Sequence, residues 1–369
     1  MNFSTLKTEA FGLDINDSSF KIIKLRKKHG FLQPVSCNEK KIPEGIIKSG
    51  IIQNEDAFIK IIKNALATVR GEKIKTKYVI ASLPEEKSFS QVIQMPKMKE
   101  AELKSAVPFE AENYIPLPID QVYLDFQIIS PAVDRVDHLD ILIIAAEKTI
   151  VDSYVSCLKK AGLIPLALEV ETQSIVRALV KEETSSVPLV LIDFGEDSTD
   201  FIVFSGSSIR FTSSIPISSR QITEAISKNL KVSFKQAETM KMKYDVMMPA
   251  TNSRAETVSK AVVPILEDLV SNVKKYFDFY SEHDSHDHLS EQKGIGKIIL
   301  SGGGANLKGI DGFFSKELNI PVEIGNPWTN FSKKLKKVEL VEIQKKPSSF
   351  VTALGLALRG VKNNDLYND

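Results

Sequence analysis

Residues 190–204 read VLIDFGEDSTDFIVF, and residues 11–25 read FGLDINDSSFKIIKL. Each stretch is an apolar run that ends in Asp, passes through a short polar turn containing Ser, and returns as a second apolar-rich run. This pattern is typical of a β-hairpin. Because it occurs once in each half of the chain, we expect a duplicated architecture in which one lobe is built on each hairpin.

The composition is that of a globular protein large enough for two domains or lobes. The chain has 369 residues, of which 43% are hydrophobic and 26% are charged. Lys and Arg number 48 against 47 Asp and Glu, a balance that argues against a nucleic-acid partner. Cys37 and Cys157 lack metal-ligand spacing, which favours a reducing cytoplasm. The first residues lack the apolar core of a signal peptide, and the longest apolar run, 141–146, is only strand-sized, so we expect a cytoplasmic protein.

Strand and helix patterns alternate between the two hairpins. A helix is predicted over 57–69 and a strand over 78–83, after which the order becomes strand, helix, strand, strand, helix. That order indicates a compact α+β unit inserted into the first lobe. The predicted division is 1–84 and 164–187 for the first lobe, 85–163 for the insert, 188–230 and 295–369 for the second-lobe core, and 231–294 for its helical subdomain.

The two acidic turns are candidate phosphate sites. A carboxylate at the end of a buried strand, here Asp14 or Asp193, lies beside backbone N–H groups that can cradle phosphate oxygens. The carboxylates can also hold Mg²⁺ through water. Hydroxyl groups in the turns add donors, and Lys21 could reach the terminal phosphates. The alternative is two ordinary hairpins with Asp as a turn residue; the recurrence favours phosphate binding.

A third element is Ser301-Gly-Gly-Gly-Ala305, between a predicted strand and a predicted helix. Three glycines allow the backbone to approach a ligand closely, whereas a flexible turn usually needs only one. The segment is not a P-loop, since no Gly-Lys-Ser/Thr follows. It is also not GxGxxG, which disfavours Rossmann dinucleotide binding.

Together, residues 14–21, 193–200, 301–305 and 353–357 resemble the paired phosphate loops, adenosine loop and closing helix of the actin-like ATPase superfamily. Within it, the chain resembles the type IV pilus assembly protein PilM family, which is itself similar to the division protein FtsA. The likeness covers nearly the whole chain and includes ASLPE at 81–85, YIPLPI at 114–119, VDSY at 151–154, AGLIP at 161–165 and NPW at 326–328. It implies an α/β, actin-like ATPase (ribonuclease-H-like) fold of two lobes, with the insert in the first lobe as in FtsA.

The resemblance also implies ATP and Mg²⁺ bound between the lobes, with Asp14 and Asp193 holding the metal through water. Glu238 and Lys241 look like the helix that touches adenosine, although an exposed i,i+3 ion pair is the alternative. Glu171 stands where relatives orient the attacking water, or else is a helix N-terminal acid stabilised by the dipole. The residues nominated for the nucleotide are Asp14, Asn16, Asp17, Ser18, Ser19, Lys21, Asp193, Gly195, Glu196, Asp197, Ser198, Glu238, Lys241, Gly302, Gly303, Gly304 and Ala305.

Asn16 is a departure, because the family has Gly at this position. Asn is the non-glycine residue that best tolerates a left-handed backbone, so we expect the turn to survive. Its side chain would crowd the phosphate side, and we therefore expect at most a slow ATPase.

The resemblance implies a scaffold at the cytoplasmic side of the inner membrane that touches the membrane only through partners. Its partners would be other pilus assembly-platform proteins, further copies of itself, and the N-terminal cytoplasmic peptide of a PilN-type protein, bound in a groove between the first lobe and the insert.

Two alternatives are an FtsA-like division protein and a small-molecule kinase of the same superfold. FtsA ends in an amphipathic membrane helix, whereas residues 361–369 have no apolar face. A kinase needs a further catalytic Asp, for which the sequence offers no motif. The run of His and Asp at 283–288 is more typical of a solvated loop than of a metal site.

Overall fold

The computed structural model describes residues 9–28, 31–129, 137–248, 253–283, 294–331 and 340–362. The residues at 284–288 in the His/Asp run and the tail 363–369 lie outside this range. The strands are β1 (Phe11–Ile15), β2 (Ser19–Lys28), β3 (Phe31–Lys41), β4 (Ile47–Lys48), β5 (Ile51–Ile52), β6 (Arg70–Gly71), β7 (Tyr78–Leu83), β8 (Ser88–Pro96), β9 (Val122–Ile129), β10 (His138–Glu147), β11 (Ile164–Val170), β12 (Ser185–Phe194), β13 (Thr199–Gly206), β14 (Ser208–Ile215), β15 (Lys297–Ser301) and β16 (Val322–Ile324). The α-helices are α1 (Glu55–Ala67), α2 (Glu100–Ala111), α3 (Lys148–Lys160), α4 (Glu171–Leu179), α5 (Ser219–Leu230), α6 (Phe234–Lys243), α7 (Ser253–His283), α8 (Ile310–Leu318), α9 (Val341–Lys345) and α10 (Val351–Lys362).

Each predicted hairpin is present and each belongs to a separate large sheet. The first sheet has the order β11-β7-β1-β2-β3-β6, and its hairpin is β1–β2. The second has the order β16-β15-β12-β13-β14-β8-β10-β9, and its hairpin is β12–β13. In both sheets a later strand pairs in parallel with the first hairpin strand, β7 with β1 and β15 with β12. The duplicated architecture expected from the sequence is therefore seen in the strand pairing.

Two helices, α4 and α10, lie between the sheets. The apolar face of α10 packs on the first sheet, with Leu354 and Ala357 among Ile23 and Leu25. Helix α4 packs on the second sheet, where Ile175 is buried against its strands. The helices meet at Gly355, where an added Cβ would lie 1.9 Å from the carbonyl oxygen of Ser174. Only glycine allows this backbone approach.

The insert joins the second sheet although its sequence interrupts the first. Strands β8, β9 and β10 follow β7 in the chain, and the chain then returns to the first sheet as β11. Strand β8 pairs along its length with β10, but within the described residues it meets β14 at one position, Gln91 opposite Phe211. Helix α2 covers the other face of this small sheet, with Leu103 and Val107 fully buried. The insert thus continues the second sheet through one backbone rung, and the buried ion pair of Arg210 on β14 with Asp140 on β10, 3.2 Å apart, joins it further to the second lobe.

Helix α3 corrects the predicted boundary of the insert. The prediction placed it within 85–163, but its apolar face packs with α1 in the first-lobe core. Tyr154, for example, is 1% exposed and its ring lies 6.2 Å from that of Phe58. The periodicity of α3 showed an apolar face but could not show which sheet it covers. The α+β insert proper ends with β10.

The far face of the second sheet is covered by α5, α7 and α8, which form its largest apolar cluster. Helix α7 runs through Pro264 and supplies Val262, Leu266 and Leu269 to this core. In the part of the chain that the structure describes, no helix combines the length and the apolar character needed to cross a bilayer.

Candidate functional site

A cleft of about 420 Å³ lies between the lobes and is walled by both hairpins. Asp14 is at the end of β1 and Asp193 near the end of β12, and Gly303 comes from the loop after β15. Three segments far apart in the sequence therefore line one cavity. The nominated residues found in its wall are Asp14, Asn16, Lys21, Glu171, Asp193, Gly195, Glu196, Asp197, Ser198, Glu238, Lys241 and Gly303.

In the first hairpin the carboxylate of Asp14 forms an ion pair with Lys21. Asp14 and Lys21 are directly opposite in the β1–β2 pair, and Lys21 Nζ lies 3.2 Å from Asp14 Oδ2. Burial alone would lower the pKa of Lys21, but the carboxylates of Asp14 and Glu39 raise it above its usual value. Lys21 therefore stays charged at the floor of the cleft.

The turn of the first hairpin is closed by the side chain of Asn16. Its Oδ1 accepts hydrogen bonds from the backbone N–H of Ser18 at 3.3 Å, and from the N–H and hydroxyl of Ser19 at 2.8 and 3.1 Å. Asn16 is not among the described residues with positive φ, so the left-handed backbone expected there is wrong. An Asx-type turn, which uses the amide as a local acceptor, achieves the same reversal.

Asp17 and Ser18 of the first turn are outside the cleft wall but make defined contacts. The carboxylate of Asp17 accepts from the backbone N–H of Ser49 at 2.5 Å and of Gly50 at 2.9 Å. The hydroxyl of Ser18 donates to the carboxylate of Asp197 on the opposite lobe. Asp17 therefore stabilises a turn of the first lobe, whereas Ser18 bridges the two lobes.

The second hairpin brings two acids together. Asp193 and Asp200 occupy the positions of Asp14 and Lys21, directly opposite across β12–β13. Burial raises the pKa of Asp193 to about 6, although the hydroxyl of Ser301, 2.6 Å from Oδ1, and the Lys21 ammonium lower it. Asp200 is 4% exposed, and its Oδ1 has no hydrogen-bond partner in the described residues. Burial, then Glu85 and Asp193, raise its pKa well above the ordinary value.

Glu171 adds a further acid at the first residue of α4. Burial raises the pKa of Glu171 well above the ordinary value, and the charges of Asp200, Asp14 and Asp193 raise it more. No group of three or more His, Cys, Asp or Glu in the described ranges could hold a metal ion directly. The cleft wall nevertheless contains the carboxyl groups of Asp14, Asp193, Asp200 and Glu171 beside the ammonium of Lys21. One buried oxygen of Asp200 has no hydrogen-bond partner among the described residues. This donor set fits an added cation held through water.

The side of the cleft formed by α6 is more constrained than an exposed ion pair. Lys241 is 5% exposed; its Nζ lies 2.8 Å from Glu238 Oε2 and also donates to Ser219 O and Thr223 Oγ1. Burial lowers the pKa of Lys241, partly offset by Glu238. The alternative of a solvent-exposed pair is therefore wrong for Lys241, whose contacts join α6 to α5.

Packing requires two of the three consecutive glycines, and the third lines the cleft. An added Cβ at Gly302, where φ is +83°, would lie 2.5 Å from Phe194 O, and one at Gly304 would lie 2.3 Å from the Phe194 ring. At Gly303 the nearest atom is the Ser349 hydroxyl at 3.8 Å. Gly302, Gly304 and the buried Ala305 are outside the cleft wall, and only Gly303 lines it.

Sequence reasoning missed several residues of the wall. Asp200 could have been found as the counterpart of Lys21 in the second hairpin. Most of the others come from β3, α5, α6 and the segment before α10, whose approach depends on the tertiary fold. They are Glu39, Lys41, Ser219, Arg220, Thr223, Phe234, Lys235, Thr239, Met242, Asn306, Lys346, Ser349 and Thr352.

A second cavity, of about 760 Å³, lies where β8 and β14 diverge on either side of the Gln91–Phe211 rung. Consecutive residues of both strands, 88–94 and 210–214, line it, so the groove runs along two strand edges. Phe279 near the end of α7 forms part of its wall and is 46% exposed. This second cavity is called the strand-edge groove below.

Comparison with known proteins gives a match over nearly the whole chain. The family model described as type IV pilus assembly protein PilM matches residues 12–361. A solved PilM-PilN type IV pilus biogenesis complex is 27% identical, covers 96% of this chain and 99% of that chain, and superposes with a TM-score of 0.78.

More distant likenesses support the fold. MreB5 of Spiroplasma citri bound to ADP is 12% identical, with a TM-score of 0.55 over 97% of this chain and 98% of that one. The cell division protein FtsA of Neisseria meningitidis serogroup B is 24% identical, covering 77% of this chain and 76% of its own length. FtsA of Bacillus subtilis is 22% identical, with coverages of 85% and 78%. These likenesses confirm the predicted α/β actin-like ATPase fold.

Proposed function

The chain belongs to the type IV pilus assembly protein PilM family, and from this premise we propose that it is an ATP-binding scaffold of the inner-membrane platform that assembles pili. The observation that carries the proposal is the convergence of the two acidic hairpins and Gly303 on one cleft between the lobes. A triphosphate needs donors from two sides and a cation to offset its charge, and this cleft offers both. MreB5, of the same fold, is solved with ADP.

Each wall of the cleft has a proposed task. Lys21 meets the terminal phosphates, and Gly303 leaves room for the nucleotide to pass close to the backbone. The α6 wall, fixed by the Lys241–Glu238 pair, receives the adenosine. Mg²⁺, when bound, neutralises phosphate charge, and Asp14 and Asp193 hold it through water.

Hydrolysis is slow or absent in this proposal. Glu171 is the residue placed to orient water, but burial and the neighbouring Asp200 favour its neutral form. A neutral carboxyl is a poor proton acceptor. Nucleotide then acts by shifting the balance between arrangements of the two lobes rather than through turnover.

The proposed partner is the N-terminal peptide of a PilN-type protein, bound in the strand-edge groove. In the described residues β8 and β14 share a single rung, so the edge between them can receive an extended peptide by strand addition. Exposed Phe279 gives such a peptide an apolar contact. The solved relative is itself a complex of PilM with PilN. Bound in this way, the protein lies in the cytoplasm, at the inner membrane, through its partners.

Calorimetric titration with ATP·Mg²⁺ tests the nucleotide site. We expect the wild-type protein to bind, and Asp193→Ala to lose binding while the fold persists. Asp268→Ala is the matched control, because Asp268 is exposed on α7 away from the cleft. Unchanged affinity in Asp193→Ala would remove the site assignment, and rapid phosphorylation of a sugar would favour a kinase.

Two aromatic variants test where the peptide binds. Phe279 lines the strand-edge groove, whereas Tyr123 of the insert contacts Asp152 of α3, at the junction of insert and first lobe. We expect Phe279→Ala to weaken binding of a PilN-type N-terminal peptide about tenfold and Tyr123→Ala to leave it unchanged. The reverse result would place the peptide between the first lobe and the insert.

A further inference from the structure

The turn of the second hairpin reaches across the cleft to the first lobe through two carboxylates. Both oxygens of Glu196 accept from Lys41 Nζ, at 2.7 and 2.8 Å, and Lys41 is the last residue of β3. The carboxylate of Asp197 accepts from the Ser18 hydroxyl in the turn of the first hairpin. The two lobes are therefore tied together over the cleft by an acidic turn.

Arg220 of α5 holds both carboxylates in place. Its Nη2 lies 3.1 Å from Glu196 Oε1, its Nε lies 3.3 Å from Asp197 Oδ1, and its guanidinium lies over the Phe234 ring at 5.8 Å. The turn is also fixed by its backbone, because the N–H groups of Ser219 and Arg220 donate to the carbonyls of Gly195 and Glu196. The acidic turn is thus a built contact of defined geometry.

The groups that this turn occupies are those that a phosphate requires. Lys41 and Arg220 are cations in the wall of the cleft, and the Ser18 hydroxyl is a donor beside it. The backbone N–H groups of Ser18 and Ser19, which complete the first turn, are already bonded to Asn16 Oδ1. Carboxylate and amide oxygens of the protein therefore occupy the hydrogen-bond donors and cations that a bound phosphate would use.

We propose that Glu196 and Asp197 act as an internal anion, which occupies the phosphate-binding groups of the cleft and which a polyphosphate displaces on binding. The proposal rests on the nucleotide-binding function proposed above and adds its regulation. Because the same carboxylates bridge the lobes, displacement exchanges a bridge made by the protein for one made by the ligand. Nucleotide affinity and the spacing of the lobes are thereby linked.

Paired substitutions of the Glu196–Lys41 contact separate competition from simple release of the lobes. Glu196→Gln frees Lys41 and Arg220 to meet phosphate, and we expect it to raise the affinity for ATP·Mg²⁺ roughly threefold, the scale of an exposed ion pair. Lys41→Gln also breaks the contact but removes a cation, so we expect it to lower that affinity. If the contact acted only by holding the lobes, both substitutions would change affinity in the same direction.

Calorimetry with three probes assigns the effect to phosphate. Inorganic triphosphate is expected to gain affinity for Glu196→Gln as ATP does, whereas adenosine is not. Asp197→Asn, which keeps the shape of the side chain, is expected to act in the same direction as Glu196→Gln. Glu323→Gln is the matched control, because it breaks an exposed Lys–Glu pair at 2.6 Å on β16, outside the cleft wall; thermal unfolding verifies that all variants fold.

Equal ATP affinity in wild-type protein and Glu196→Gln, or equal effects of Glu196→Gln and Lys41→Gln, would overturn the internal anion and leave the nucleotide site standing. Absence of ATP binding in wild type and in every variant would instead remove the proposed function together with the internal anion.

Discussion

The two hairpins have the same backbone plan and opposite electrostatics. In each, an Asp one residue before the last pair of the register faces a residue of the second strand, Asp14 opposite position 21 and Asp193 opposite position 200. In the first lobe that residue is Lys21, whose ammonium contacts Asp14. In the second it is Asp200, whose Oδ1 has no hydrogen-bond partner among the described residues. The same geometry therefore gives an ion pair in the first lobe and a pair of acids in the second.

The two halves of the cleft therefore differ in how their carboxyl groups are neutralised. The single Lys21 lowers the pKa of Asp193 across the cleft as well as pairing with Asp14. The second lobe keeps two neighbouring acids whose pKa values are raised, and an added cation would favour their charged forms. We therefore regard the first hairpin as the internally neutralised half of the site and the second as the half whose charge the proposed Mg²⁺ would offset.

The largest effect is expected from removing the shared cation. Lys21→Met leaves Asp14, Asp193 and Glu171 facing one another, and we expect it to lower the free energy of unfolding by about 3–5 kcal/mol near neutral pH, the scale for breaking a buried pair. Urea unfolding measures this loss. Because acid protonates the carboxylates that Lys21 no longer neutralises, the loss of unfolding free energy should shrink at pH 5.

The control for this variant is Lys297→Met, which removes the cation of the exposed pair with Glu323 and should cost at most about 1 kcal/mol. A loss equally small in Lys21→Met would show that the two hairpins differ less than their geometry indicates.

Substituting the two hairpin acids should have opposite effects. Asp193→Asn removes an unfavourably placed charge and is expected to stabilise the protein at pH 7 by about 1–2 kcal/mol, a value reduced for the partial exposure of this side chain. Asp14→Asn leaves Lys21 without its carboxylate and is expected to destabilise the protein. Unfolding midpoints of the two variants, measured side by side, test the contrast; a shift in the same direction would contradict it.

The pH dependence of stability follows from the raised pKa of Asp193. Its folded-state pKa is about 6, against an ordinary value of 3.8. The folded protein therefore binds this proton more readily than the unfolded chain does between those limits, and its contribution to the free energy of unfolding rises as the pH falls from 7 towards 4. Asp193→Asn should flatten this rise in unfolding experiments between pH 7 and 5. An identical profile for both proteins would contradict the assignment.

The smallest effect is expected in the turns themselves. Asn16→Ala removes the acceptor for the Ser18 and Ser19 N–H groups, and we expect a loss of about 1 kcal/mol. Asn54→Ala is a matched control, since Asn54 caps α1 by accepting from the Ala57 N–H at 3.0 Å and should cost a similar amount. Only Asn16→Ala should also raise ATP affinity, as calorimetry would detect.

The hairpins could be predicted from the sequence because their signals are local. Strand β7 coincides with the predicted strand 78–83, and the predicted order of strand, helix, strand, strand, helix is that of β8, α2, β9, β10 and α3. The role of the glycines could not be resolved in the same way, because Phe194, which excludes side chains at Gly302 and Gly304, lies more than 100 residues away in the chain.

The rest of the cleft depends on contacts between lobes. Lys41 and Arg220 carry no motif, and both contact the acidic turn of residues 196 and 197, Lys41 from β3 of the opposite lobe and Arg220 from α5 of the same lobe. Asp200 was overlooked for a different reason: its importance lies in the strand register, which sets it opposite Asp193. The packing of α3 on the first lobe could not be predicted, because an apolar face in a helix does not indicate which sheet it covers.

The contact of Gly355 with Ser174 has a mechanical consequence. At this point the backbones of α4 and α10 approach so closely that there is no room for a side chain at position 355. Such a close contact resists sliding of one helix along the other, so we expect α4 and α10 to move together. A relative rotation of the lobes would then change contacts far from this crossing, such as those of Glu196 with Lys41 and of Asp197 with Ser18. A methyl group at position 355 would push α4 and α10 apart.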